Sequence, residues 1–210
     1  MYKKNKYIEE RLNSTSHGVA AGGSIIGLIA LIMKSSDQEW MLFSSIAYGL
    51  SLIILYAFSS LYHAIRNEKI KHVFRILDHC SIFILIAGTY TPVLLISIGG
   101  STGWLIFGIQ WTLVLIGSIL KLFYTGKKEG ISILIYIIMG WMIVLKWNYL
   151  TNVMPTSAFN LLLAGGIIYT IGIFFYLLDS KIKYFHFVWH LFVITGSILH
   201  YILIFKYVIN

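Results

Sequence analysis

The sequence predicts an all-α integral membrane protein, a bundle of seven transmembrane helices with its amino terminus in the cytoplasm and its carboxyl terminus outside. Hydrophobic residues make up 58% of the chain and charged residues 11%, which leaves too few polar side chains to cover a water-soluble globule. The apolar runs are long and lack the two-residue alternation of barrel strands, so helices are favoured. The basic residues are unevenly distributed between the loops, which sets the orientation.

The spans follow from the length of the apolar runs. A helix needs about 20 apolar residues to cross a hydrocarbon core of roughly 30 Å. Dividing the chain where charged residues interrupt the runs gives spans at 17–33, 41–64, 76–98, 102–124, 131–146, 157–178 and 184–205. The links between them are too short to hold a soluble domain, so we predict one membrane domain over residues 1–210.

The basic residues indicate the orientation. Of the 16 lysines and arginines, 13 precede the first span, follow the second, fourth and sixth spans, or, as Lys121, lie in the last turn of the fourth span. The three on the other side are Lys34, Lys146 and Lys206. Because basic residues remain preferentially in the cytoplasm during insertion, the larger group marks the cytoplasmic side.

The net charge of +8 is therefore interpreted as topology and contact with anionic lipids, and not as nucleic-acid binding. Membrane lipids are the expected partners, and the cell membrane, plasma or inner, is the expected location. The sequence points to no soluble protein partner and to no particular oligomeric state.

Ionisable residues within the spans are the functional candidates, because a polar group buried in a membrane is costly. His186 and His190, four residues apart at the start of the seventh span, share one helix face about 6 Å apart. His63 ends the second span, with Ser59 one turn earlier on the same face, and Asp78 opens the third. Since the second span runs inward and the other two run outward, the three histidines and Asp78 are predicted to lie within about 10 Å of the cytoplasmic boundary, with Ser59 one turn deeper.

Three neutral imidazoles favour zinc, or another borderline transition metal, over magnesium or calcium. Three protein ligands leave the fourth position for water, as in catalytic zinc sites, and zinc lowers the pKa of such a water to about 7. Asp78 would then orient or deprotonate the water, and Ser59 would hydrogen-bond a developing oxyanion or a neighbouring group. His200 lies ten residues beyond His190, about 15 Å further from the boundary, and is excluded as a ligand.

Each candidate also has a structural interpretation. A single transmembrane histidine is often a hydrogen-bond partner between helices. Ser59 can bond to the carbonyl four residues earlier, and Asp78 can pair with Arg75 on the preceding turn. His17 and His79 fall in the same layer and remain rival ligands.

Four segments of the chain carry a recognisable order of motifs. They are Glu9–Gly18, Ser59-x-x-x-His63, Leu77–Ser81 followed by Ala87–Pro92, and His186-x-x-x-His190. In this order, with the last three on the second, third and seventh of seven amino-in helices, they resemble the bacterial hemolysin III proteins, a branch of the progestin and adipoQ receptor (PAQR) superfamily. Each motif is weak by itself, and their joint occurrence is specific.

The resemblance implies a zinc ion held by His63, His186 and His190, with Asp78 reaching it through water and Ser59 beside it. Similarity to alkaline ceramidases, which place a comparable site in seven helices, implies hydrolysis of a lipid amide or ester. We therefore predict a zinc-dependent hydrolase of an acyl lipid that enters from the cytoplasmic leaflet. Two alternatives are a receptor or sensor of membrane lipid state with structural zinc, and the cytolytic pore that the family's name suggests.

Overall fold

All seven predicted spans are helical in the computed structural model, which describes residues 2–35, 40–127 and 129–209. Within these residues, seven helices are long and apolar enough to cross a membrane, and no strand occurs. The chain is thus an all-α, multi-pass integral membrane protein. Its orientation in the membrane stays a prediction.

Eight α-helices build the spans in the described part of the chain. They are α1 (Tyr2–Lys34), α2 (Met41–Ala64), α3 (Glu68–Pro92), α4 (Gly100–Tyr124), α5 (Glu129–Trp141), α6 (Trp147–Val153), α7 (Thr156–Leu178) and α8 (Phe185–Leu203). Three shorter segments complete them: π-helical Val93–Ile98 continues α3, 3-10 helical Met142–Lys146 joins α5 to α6, and π-helical Ile204–Val208 extends α8. The fifth span therefore comprises α5, the 3-10 segment and α6.

Two helices begin well before the predicted residue. Helix α1 starts at Tyr2 and not at residue 17, and α3 starts at Glu68 and not at residue 76. The side-chain oxygen of Asn67 caps α3 by accepting two backbone N–H bonds of its first turn, at 3.1 and 3.2 Å. The fifth span ends later than predicted, at Val153. Charged residues thus interrupt an apolar run without ending the helix, because backbone pairing continues outside the hydrocarbon core.

The bundle is closed, since successive spans pack together and α1 packs against α8. The Tyr201 hydroxyl of α8 donates to the Gly27 carbonyl oxygen of α1 at 2.9 Å. Gly88 lets α3 approach α2 closely, because a Cβ at this position would lie 2.3 Å from the Ser51 hydroxyl oxygen. Such small-residue contacts are typical of helices packed within membranes.

The spans alternate in direction, so one end of the bundle brings together the start of α1, α3, α5 and α8 and the end of α2, α4 and α7. We refer to it as the site end. Lys121 is almost fully buried there, near the end of α4, and forms an ion pair with Glu129 at the start of α5. The site end therefore contains buried charge that is balanced within the protein.

Candidate metal centre

Three histidines from two helices converge at the site end. His63 lies in the last turn of α2, and His186 and His190 lie in the first two turns of α8. Their ring centroids are 4.8 to 5.1 Å apart, and one ligating nitrogen of each lies within 4.8 Å of the others. Two nitrogens on one tetrahedral zinc, each at about 2.0–2.1 Å, are roughly 3.3 Å apart. Small side-chain rotations would therefore bring all three onto one ion.

The burial of these rings also suits a metal. His190 is 2% exposed and His63 is 8% exposed. Nε2 of His63 and Nδ1 of His190 are buried and have no hydrogen-bond partner among the described residues. An unpaired buried polar atom costs about 1–3 kcal/mol, and coordination removes that cost for a nitrogen that faces the ion. The donor set thus fits zinc, and its role as a zinc site stays a prediction.

Asp78 and Ser59, the other predicted site residues, lie beside one another. The Ser59 side chain is buried in α2, and its hydroxyl interacts with the Asp78 carboxylate of α3. The Asp78 side chain is 13% exposed and close enough to His186 for a charge interaction. In the part of the chain that the structure describes, Asp78 is not among the three residues placed to ligate one ion directly. This arrangement agrees with action through water, which stays a prediction.

The rival ligands occupy different surroundings. The His17 ring stacks on the His190 ring, with centroids 3.7 Å apart and planes inclined by 11°. His79 faces two carboxylates instead, with Nδ1 3.6 Å from Asp78 and Nε2 3.9 Å from Glu129. Neither histidine belongs to the three-residue group found among the described residues. His17 is nevertheless in direct contact with the site.

The excluded histidine is also accounted for. Nε2 of His200 lies 3.1 Å from the Leu162 carbonyl oxygen of α7, deep in the bundle. It does not belong to the three-histidine group of the described residues. The helical rise of about 1.5 Å per residue was sufficient to separate it from the site.

Two carboxylates that sequence reasoning missed contact the predicted ligands. Glu10 of α1 lies 2.7 Å from Nδ1 of His63, and Asp179, just after α7, lies 2.7 Å from Nδ1 of His186. Metal-bound histidines usually donate their second N–H to a carboxylate or carbonyl, so partners of this kind were to be expected. The sequence could not single them out, because Glu9 and Glu129 stand at the same end of the bundle.

Two different spaces lie near the site, one lined by His63 and His186 and the other deeper in the bundle. An open polar basin lies toward the end of the bundle. It is lined in part by His63 and His186 and by four carboxylates, those of Glu9, Glu10, Glu129 and Asp179. A mainly apolar cleft lies toward the middle of the bundle, between α3, α5, α7 and α8. Its empty volume is about 770 Å³, which includes the space at its open side. Among its lining residues are Leu55, Ile82 and Val193, each about one helical turn deeper than the predicted site residues of its helix.

Comparison with known proteins decides the family. A family model described as Haemolysin-III related matches residues 5–201. The chain belongs to the haemolysin-III related family. Hemolysin-3 of Bacillus cereus is 40% identical over 100% of this chain and 96% of its own length. The Hemolysin-3 homolog of Bacillus subtilis (strain 168) is 37% identical over 90% of this chain and 89% of its own length.

A human protein extends this haemolysin-III related family toward the PAQR superfamily. Human monocyte to macrophage differentiation factor is 30% identical over 98% of this chain and 87% of its own length. The stretch matched by the family model, residues 5–201, spans the positions of the three histidines and of the residues that line both spaces. The resemblance seen in the sequence motifs is confirmed.

Proposed function

We propose that this haemolysin-III related protein is a zinc-dependent hydrolase of a lipid amide or ester. The supporting observation is that two of the three grouped histidines line a polar basin and that an apolar cleft begins about one helical turn deeper in the bundle. A lipid whose acyl chain occupies the cleft would place its headgroup in the basin. Its amide or ester carbonyl, at the junction of the two parts, would then lie at the histidine layer.

Each group at the site has a chemical role in this proposal. When bound, zinc supplies Lewis acidity that polarises a carbonyl and acidifies water. His63, His186 and His190 hold it, and Asp78 accepts the proton of the attacking water and later returns it to the leaving group. Ser59 lies beside Asp78 and would position its carboxylate. The apolar walls of the cleft exclude water from the acyl side, which strengthens these polar interactions.

Hydrolysis can be tested with purified protein in lipid nanodiscs and a panel of lipid amides and esters. We expect release of a free fatty acid by the zinc-loaded protein, loss of at least about 100-fold of the rate after chelation, and recovery when zinc is restored. If zinc is only structural, as in a membrane sensor, chelation would lower the unfolding temperature, and no fatty acid would be released with or without zinc. That result would overturn the proposed hydrolase.

The cleft predicts selectivity for acyl chain length. Gly166 of α7 lies in its wall, and a Cβ there would meet no atom within 4 Å among the described residues. Gly166→Leu should fill part of the cleft, shift the preference to shorter chains and reduce hydrolysis of the longest accepted chains by roughly tenfold or more. Gly108→Leu is the matched control, because Gly108 of α4 has the same open surroundings and does not line the cleft. An unchanged length profile for Gly166→Leu would place the acyl chain elsewhere.

A further inference from the structure

Two of the three histidines are each held by a carboxylate at the same ring atom. The distance from Nδ1 of His63 to Glu10 and the distance from Nδ1 of His186 to Asp179 are both 2.7 Å. A carboxylate only accepts hydrogen bonds, so Nδ1 of each ring carries the proton. Nε2 then presents its lone pair, and for His63 this atom is buried without a partner among the described residues.

We propose that Glu10 and Asp179 are positioning residues that fix the tautomer and the ring plane of His63 and His186 for metal binding. This inference rests on the proposed zinc site. It assigns a role to α1, which supplies none of the three histidines of the group, and to the turn between α7 and α8. Hydrogen-bonded carboxylates of this kind make an imidazole a stronger ligand and reduce its freedom to rotate.

The surroundings of Asp179 favour this role over ordinary charge pairing. Within the described ranges, its ion pair is with His186, and no lysine or arginine lies within 4.0 Å of it. The backbone of the turn also directs the contact: Ile182 N–H bonds to the Leu178 carbonyl oxygen at 3.0 Å, and Tyr184 adopts a φ of 63° just before α8. This left-handed conformation is unfavourable for tyrosine and reverses the chain so that His186 returns to Asp179.

Glu10 has a second partner, which provides a way to separate two roles. Its other oxygen lies 3.2 Å from the Lys71 ammonium of α3. If Glu10 served only to tie α1 to α3, removing Lys71 would have the same effect as removing Glu10. If Glu10 orients His63, the loss of Lys71 should leave metal affinity almost unchanged.

The test measures zinc affinity in detergent by competition with a chromophoric chelator, and the visible spectrum of the cobalt-substituted protein. Glu10→Gln and Asp179→Asn should each weaken zinc binding by about 10–100-fold and alter the cobalt bands. Lys71→Met and Glu68→Gln, the latter an exposed carboxylate at the start of α3, should stay within about twofold of wild type. Thermal unfolding of the metal-free proteins checks that each variant folds.

The outcomes separate this inference from the proposed function. Wild-type affinity in both Glu10→Gln and Asp179→Asn, with zinc bound by the wild type, would overturn the positioning role alone. A wild type that binds no zinc would overturn the zinc site and the inference with it. If Glu10→Gln does not fold, Asp179→Asn carries the same test, because Asp179 has no lysine or arginine partner among the described ion pairs.

Discussion

His190→Ala is expected to abolish zinc binding and lipid hydrolysis. His190 is one of three predicted ligands and is 2% exposed, so no solvent-exposed residue can easily replace it. Zinc affinity should fall by more than the roughly 10–100-fold that is typical when a hydrogen-bond partner of a metal-ligating residue is removed. Metal analysis after gel filtration should fall from about one zinc per chain, the number expected for a three-ligand site, to background.

His200→Ala is the control for this result. His200 is a buried histidine of the same helix, but its Nε2 lies against the Leu162 carbonyl oxygen. This variant should keep its zinc. Its unfolding temperature can be lower, because a hydrogen bond between α8 and α7 is lost. Zinc retained by His190→Ala at wild-type affinity would show that the metal is not held by this group.

Asp78→Asn should have the second large effect, on the reaction and not on the metal. An amide cannot accept the proton of the attacking water, so turnover should fall by about 10²- to 10⁴-fold. Zinc content should stay near that of the wild type, since Asp78 lies outside the three-residue group found among the described residues. Turnover and metal content are measured on the same preparation.

Glu68→Gln, a change of an exposed carboxylate on the same helix, controls for loss of charge and should hydrolyse at the wild-type rate. Loss of zinc from Asp78→Asn would mean that Asp78 takes part in coordination. Full turnover with zinc bound would mean that another group accepts the proton.

The seven spans could be predicted because the signal for a transmembrane helix is local. An apolar run of sufficient length must pair its own backbone in lipid, whatever its neighbours are. The starts of α1 and α3 could not be found in this way, because the charged residues Arg11 and Arg75 precede the apolar runs while helical backbone pairing continues through them. The extension of α1 matters for function, since it carries Glu10.

The three-histidine group was predictable for a similar reason. The spacing of His186 and His190 fixes their common face, and the alternating direction of the spans brings His63 to the same layer. The contacts of Glu10 and His17 depend instead on how α1 rotates and slides against α2 and α8. No local pattern records that packing.

The closure of the bundle between α1 and α8 has a consequence for biosynthesis. A ribosome releases His63 before His186 and His190, so the nascent chain has only one of the three histidines until α8 has entered the membrane. The stacked pair of His17 and His190 also cannot form before that point, because it joins α1 to α8. If the proposed zinc site is correct, metal binding therefore requires the insertion of α8, and a chain terminated before α8 would lack two of the three ligands.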